Sequence, residues 1–379
     1  MADRETELIA RLAPGVAHID ADAWDKLAGD DPFVRHAFLA ALEQSGSVGP
    51  GTGWTPAPIT IEDQTGALLG AAPAYLKSHS QGEYVFDHGW ADAFERAGGR
   101  YYPKLQVAVP FTPVRGPRLL GAWPQQLLAA AEAVIVQNEL SSAHITFIDE
   151  AGASECERRG WLLRHGIQYH WLNRGYRDFD DFLGQLTSRK RKAIRKERAA
   201  AREGLEFAAL TGSAIGAAEW DAMWAFYQDT GSRKWGQPYL TRAFFDRIGE
   251  TMGDKLLLLL AYRDSRPIAG ALNLLGPDTI YGRYWGTIDE VPFLHFELCY
   301  YQAIEWAIAL GLSSVQAGAQ GEHKLARGYE PVISRSAHFI ADPGFRAAVA
   351  TFLDGERPAI ASEAEWERAA LPYRSPSSP

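Results

Sequence analysis

Cysteine is scarce: Cys156 and Cys299 are the only two in 379 residues, and neither stands in a metal-ligand or redox spacing such as C-x-x-C. A disulfide framework is excluded, and a reducing cytoplasm is the expected home. Long apolar runs are missing as well. The longest aliphatic stretch, 256-LLLLLA-261, is far shorter than the roughly 18 residues of a membrane span and reads as a buried strand. The opening MADRETELIA is charged where a secretory leader is apolar, so no stable membrane insertion is expected. The ten histidines form no H-E-x-x-H pattern and no G-x-S-x-G elbow occurs, so neither a metal nor serine-hydrolase chemistry is expected. Positive charge is in deficit too. A formal charge of −9 argues against coating nucleic acid or anionic membrane over the whole surface, because phosphate binding needs a broad basic field.

Large aromatic side chains are plentiful, with 12 Trp, 15 Tyr and 17 Phe. Most such rings pack cores, but this many can also line a cleft. The length suits two domains, each with its own core. Capped helical patterns follow Asp20 and cover 33–46; strand-like runs flank the Gln64-Thr65-Gly66 turn; a long polar and aromatic segment spans Ser80 to Arg118. Then come a helix over 124–140 and strands at 143–149 and 161–173. A similar order returns later: helices at 216–232 and 240–253, strands at 256–264, 267–276 and 279–287, a helix at 296–311, a strand at 313–318, a strand near 335–340 and a helix at 343–355. The economical reading is an α+β protein of two domains, 1–175 and 176–379, on one plan.

Against the general acidity, 187-TSRKRKAIRKER-198 holds seven basic side chains and one acid. Its ordinary explanation is a solvated helix whose long stems cover apolar surface. The functional one is a phosphate-binding site, with Arg189, Arg191, Lys192 and Arg195 as the candidates.

Five stretches, taken in order, resemble the bacterial FemAB-like peptidoglycan biosynthesis/recognition proteins of the GNAT superfamily. They are 82-GEYVFDHGWADAFERAGGRYYPKLQVAVPFTPVRGPR-118, 187-TSRKRKAIRKER-198, 230-TGSRKWGQPYLTRAFF-245, 293-FLHFELCYYQAI-304 and 317-AGAQGEHKLARGY-329. The resemblance implies two tandem GNAT-like domains with mixed central sheets, each splayed to admit an acyl donor, and N-acyl transfer as the chemistry. No clean Q/R-x-x-G-x-G/A loop accompanies it, and the coiled-coil arm of some Fem-type enzymes is not evident.

N-acyl transfer needs a base for the attacking amine, donors for an oxyanion and an acid for the leaving group. The candidate bases are Asp87, His88, His295, Glu297, Glu322 and His323, with Glu297 and His323 foremost because they lie beside the expected sheet opening of the second domain. Each has a plain alternative as a hydrogen-bonded structural residue. Tyr101, Tyr102 and Lys104 form a polar aromatic group suited to an amine or sugar-like acceptor, and Trp235 and Tyr239 form another beside Arg233 and Lys234. Tyr281, Tyr284, Tyr300 and Tyr301 are the available phenols for a proton donor, and Tyr284 is also a candidate for substrate contact. Lys324, in the G-E-H-K turn, is expected to contact a carboxylate or phosphate; if that turn is extended, His323 and Lys324 face opposite ways. The leading expectation is transfer from acyl-CoA to a small-molecule or peptide amine. Aminoacyl-tRNA-dependent transfer, gripped by the basic helix, is the alternative within enzymes, and a non-catalytic module binding a cell-wall precursor or peptide is the alternative outside them.

Overall fold

The structure, a computed structural model, describes residues 7–234, 238–318 and 321–374, without the side chains of 231–234 and 322. Trp235 lies outside the described residues. The α+β class with mixed sheets is observed, but the chain does not divide once near residue 175. One compact unit comprises Met1–Gly166 and Ser334–Ala361, the other Ile167–Ile333 and Ser362–Pro379. Contiguity is what a linear pattern suggests. Here the late strand and part of the last helix return to complete the first unit's layers.

In the first unit, the strands Ser142–Ile148, Lys104–Val107, Ala74–Lys77 and Trp54–Pro56 lie side by side, with the later part of Glu330–Ile340 antiparallel to the first of them. Lys104–Val107 and Ser142–Ile148 are parallel, a pairing that requires a crossover, and the helix Pro124–Gln137 provides it. That helix starts on its proline, where the missing N–H is no loss. A smaller sheet is made of Ile9–Leu12, Ile59–Glu62, Leu68–Ala72 and Leu120–Gly121. The segment from Ser80 to Arg118 contains a helix, His88–Arg96, which the aromatic and polar mixture had masked.

The second unit repeats the plan. Glu206–Leu210, Leu256–Arg263, Arg266–Leu275 and Thr279–Thr287 are antiparallel neighbours, and Thr279–Thr287 then pairs in parallel with Ser314–Gln316. A helical run from Leu294 to Ala309 makes the crossover, with a π-helical turn at Glu297–Tyr301. Leu256 to Ala261 are each at most 1% exposed, which explains an unalternating run: a strand covered on both faces has no solvent side to mark. The last helix, expected to stop at Gly355, continues through Pro358 to Ala369. Burial of Val349, Leu353 and Ala364 outweighs the local preference of glycine and proline to break it.

At Gly286 a helix and a strand approach closely: a Cβ there would stand 2.0 Å from the carbonyl oxygen of Phe226 in the helix Ala217–Lys234. Because backbone cannot swing aside, Gly286→Ala should destabilise by at least about 1–3 kcal/mol, read as a lower urea midpoint with unchanged slope. Gly355→Ala, with nothing near its Cβ position, serves as the neutral control.

Candidate active site

Each unit has one parallel pair joined by a helical crossover, and the two units differ past the last paired residues. In the first, pairing of Lys104–Val107 with Ser142–Ile148 ends at Val107 and Ile145. The chain then folds back so that Gly116 bridges Ile148, and the buried Arg118 donates from Nε to the carbonyl of Thr146 (3.2 Å) and from Nη2 to that of Val114 (2.6 Å). A buried guanidinium thus takes up backbone carbonyls beside the end of that pair.

In the second unit the pairing ends at Tyr281 and Gln316, and the divergence is open. A cavity of about 140 Å³ lies there, bordered by Gly282 to Trp285, by His295, Cys299 and Tyr300 of the crossover helix, and by Ala317 and Gly318. A register shift between Leu272 and Asn273 kinks the neighbouring strand at the cavity floor. Of the expected catalytic residues, His295 lies on the wall and His323 close by: Nε2 of His323 is 2.9 Å from the phenol oxygen of Tyr300, and its ring centroid is 6.4 Å from that of His295. Burial pushes the Tyr300 phenol up, so it stays protonated at neutral pH. Tyr284 also borders the cavity.

Glu297 is held differently from the base it was expected to be. It is fully buried, and both oxygens accept from Arg198, at 2.9 Å from Nε and 2.9 Å from Nη2, with Gln302 adding a third donor at 3.2 Å. A carboxylate so engaged is a fixed counter-charge rather than an open proton acceptor. Arg198 also reaches Glu305 with two bonds of 2.7 Å. From the next residue, Glu197 accepts from Arg327 at 2.8 Å and from the Tyr301 phenol. The helix Ser188–Arg202 is thus tied to the crossover helix by its second half. Its first half is not: Arg189, Lys190, Arg191 and Lys192, with Lys196 beyond, form no ion pair among the described residues, while Arg195 pairs with Asp180 at 2.7 Å. Four bases at a helix N-terminus oppose the helix dipole, and Arg189 and Lys192 stand as like charges at i,i+3.

The turn carrying Lys324 is not extended; Glu322–Arg327 is a 3-10 helix between Gly321 and Gly328, both at positive φ. His323 is nevertheless exposed and Lys324 buried. Nζ of Lys324 donates to the carbonyl of Gly318 on the cavity wall at 2.7 Å, and no carboxylate faces it among the described residues. Burial, opposed only weakly by the nearby Cys299, brings the ammonium down to about 7, within reach of a neutral amine at physiological pH.

Asp87, Tyr101, Tyr102 and Lys104 come together in the first unit, inside a buried network rather than on an open platform. Nζ of Lys104 donates to Ser80 (2.8 Å), Glu83 (2.7 Å) and Asp87 (2.5 Å), and Tyr101 donates to Asp87 at 2.7 Å. Neighbouring strands add Lys77, His144 and His338, the last two joined Nδ1 to Nδ1 at 2.7 Å. Asp87 is held well below the usual carboxylate range: its burial is overcome chiefly by the Lys104 ammonium. Lys104, for all its burial, is raised by Glu83 and Asp87. Sequence reasoning passed over Lys77, His144 and His338, whose polarity gives no sign of burial until strand register aligns them. Tyr239 is half-buried and does not border the cavity.

The FemAB-like family, described as peptidoglycan biosynthesis/recognition, matches residues 15–375. The chain belongs to that family. Membership makes it a transferase. No curated protein sequence matches it. Among solved structures, FemX is similar at 12% identity and a TM-score of 0.54, with 91% of this chain and 100% of that one covered. The C-terminal domain (DUF2156) of a protein described as a lysylphosphatidylglycerol synthetase, from Agrobacterium fabrum, is similar at 10% identity and 0.51, covering 87% and 94%. Likeness at these identities is one of fold. No described helix is long and apolar enough to cross a membrane.

If Arg198 is the clamp on Glu297, Arg198→Met should cost about 3–5 kcal/mol, because it strands a buried carboxylate. The double change Arg198→Met with Glu297→Met should recover much of that loss in urea titrations. Simple additivity of the two single losses would refute a coupled pair.

Proposed function

We infer that this FemAB-like protein is an N-acyltransferase that works in the cavity of its second unit, moving an acyl group from an activated donor of the acyl-CoA type to an amine on a small molecule or peptide. The observation that carries the reading is Lys324, a buried amine that no carboxylate faces among the described residues, bonded to the wall of the open strand divergence. Its neutral form can take the proton of the attacking amine as the new C–N bond forms. The bond from the acyl carbon to the donor's sulfur or oxygen breaks, and the protonated Tyr300 phenol on the same wall can supply a proton to the leaving atom. His323, at hydrogen-bonding distance from that phenol and exposed, is suited to restoring the proton from solvent. Glu297 positions the crossover helix through Arg198, and His295 shapes the wall.

A polynucleotide-borne ester donor is the second reading, favoured by one observation: the bases at the N-terminal half of Ser188–Arg202 that lack ion-pair partners among the described residues and sit on a helix tied to the cavity's own helix. The family's peptidoglycan association supports a peptide or precursor as acceptor in either case.

Transfer rates at saturating donor should rise with pH through an inflection near 7, and Lys324→Met should lose that limb together with about 10²–10⁴-fold in kcat. A wild-type profile flat across that range would refute Lys324 as the base. Stability gives an independent check. A lysine whose folded-state value is depressed to about 7 burdens the fold most below that pH, and the burden is relieved as pH rises toward the unfolded value of 10.5. Lys324→Met should therefore gain most over the wild type near pH 6 and progressively less toward pH 10.

The two donor readings separate by salt. Binding of tRNA should fall steeply with salt, and Arg189, Arg191 and Lys192 changed to Gln should lower the log–log slope by roughly 0.7–0.9 per lost phosphate contact. Failure to retain tRNA at low salt, with acyl-CoA still bound, would decide for the thioester.

A further inference from the structure

The thiol of Cys299 borders the cavity and has no part in the chemistry above. It is partly exposed, whereas Cys156 is sealed in the first unit's core, where burial pushes its thiol up to about 12 and leaves it inert. Cys299 stands in the π-helical turn Glu297–Tyr301, and single π turns inside helices recur at functional sites. Four residues earlier on the same helical run, His295 borders the cavity too, a spacing that keeps both side chains on one face. A cysteine and a histidine on one wall are the two parts of an activated nucleophile: the sulfur attacks and the imidazole takes its proton. No carboxylate borders the cavity among the described residues, so no acidic side chain competes for either role.

Lys324 is a second and independent pointer to an occupant. Its buried Nζ carries more N–H donors than the bond to the Gly318 carbonyl uses, and a buried ammonium so thinly served calls for an acceptor. The charge that favours this ammonium is a thiolate at Cys299, and the ammonium favours the thiolate in return.

We propose that Cys299 is a catalytic nucleophile that carries the acyl group as a thioester between donor and amine, so that transfer runs in two displacements with His295 as the base of the first. In the first, the sulfur of Cys299 bonds to the acyl carbon as the donor's bond to that carbon breaks. The thiol's proton passes to His295, and the leaving atom takes a proton from Tyr300, which recovers one from solvent through His323. In the second, the amine nitrogen bonds to the same carbon, the bond to Cys299 breaks, the amine's proton goes to Lys324 and His295 returns its proton to the sulfur. A thioester donor makes the first displacement an exchange of like bonds, needing no further reactant. The proposal rests on the cavity being the acyl site of the reading above, but it is read with no amine present.

The probe is S-acetyl-N-acetylcysteamine, a thioester without a large carrier, incubated with the full-length chain. The protein should gain one acetyl group, mapped by peptide mass spectrometry to Cys299 and discharged by neutral hydroxylamine, which cleaves thioesters and spares amides on lysine. Labelled N-acetylcysteamine added alongside should exchange into the probe, because the first displacement is reversible by itself. Cys299→Ala should lose both adduct and exchange at an unchanged melting temperature, and His295→Gln should slow the exchange by about 10²–10⁴-fold and flatten its pH profile. No adduct on the wild type, an adduct elsewhere or resistant to hydroxylamine, or exchange that survives in Cys299→Ala would overturn the proposal; the wild-type mapping stands even if a variant fails to fold. A Cys299 thioester that exchanges but that no amine in a broad panel discharges would keep the nucleophile and sink the amine-transfer reading, whereas amine acylation without that thioester would do the reverse.

Discussion

Two guanidinium groups hold the second unit's candidate site together. Arg198 ties the helix Ser188–Arg202 to the buried Glu297 at the π-helical turn, and Arg327 ties the turn bearing Lys324 to Glu197 of that same helix and to Tyr301. Arg327 also lies 3.4 Å from the ring centre of Phe296 and donates to the carbonyl of His323. Planar forks with several fixed donors suit this task better than lysine, because each can engage two elements at once. Three pieces far apart in sequence are thereby held in one register, and the place of Lys324 against Gly318 depends on that register.

The two units show how one plan can be put to different ends. Each sets antiparallel strands beside a parallel pair joined by a helical crossover, and each must deal with backbone that diverges beyond that pair. In the first unit Arg118 and the returning chain satisfy the freed carbonyls internally. In the second the divergence is a cavity with aromatic walls. The buried polar groups of the first unit gather around Lys104, although Glu83, Asp87 and Gln106 each keep one oxygen without a hydrogen-bond partner. Asn273 in the second keeps an orphan acceptor beside a cavity.

Periodicity and length made most second-unit elements readable: the run at Leu256–Arg263, the alternation at Thr279–Thr287 and the helix Ser188–Arg202 need no tertiary information. Asp20 caps Ala21–Ala28 as its position implied, accepting from the amide of Ala23. The short elements Ile9–Leu12, Phe179–Gln185 and Glu206–Leu210 were not legible, since pieces of their length are fixed by neighbours rather than by local preference. The site divides the same way. Residue types and the glycine-flanked turn pointed to His323 and Lys324, yet nothing local says that Glu297 meets a guanidinium 99 positions earlier. Asn273 reads as an unremarkable polar residue in a strand until its two carbonyl partners, those of Leu257 and Ala271, are known.

The discontinuous division of the chain bears on how the protein can be made. During synthesis the amino-terminal segment cannot finish its unit first, because a strand and part of a helix between Ser334 and Ala361 are still to come. The second unit waits too, for Ser362 onward, where Tyr373 donates to the carbonyl of Gly328 and Arg374 to that of Leu186. Both cores therefore stay open on the ribosome until the same late stretch emerges, and a chain cut short before it carries two incomplete cores at once, with their apolar faces offered to chaperones and proteases.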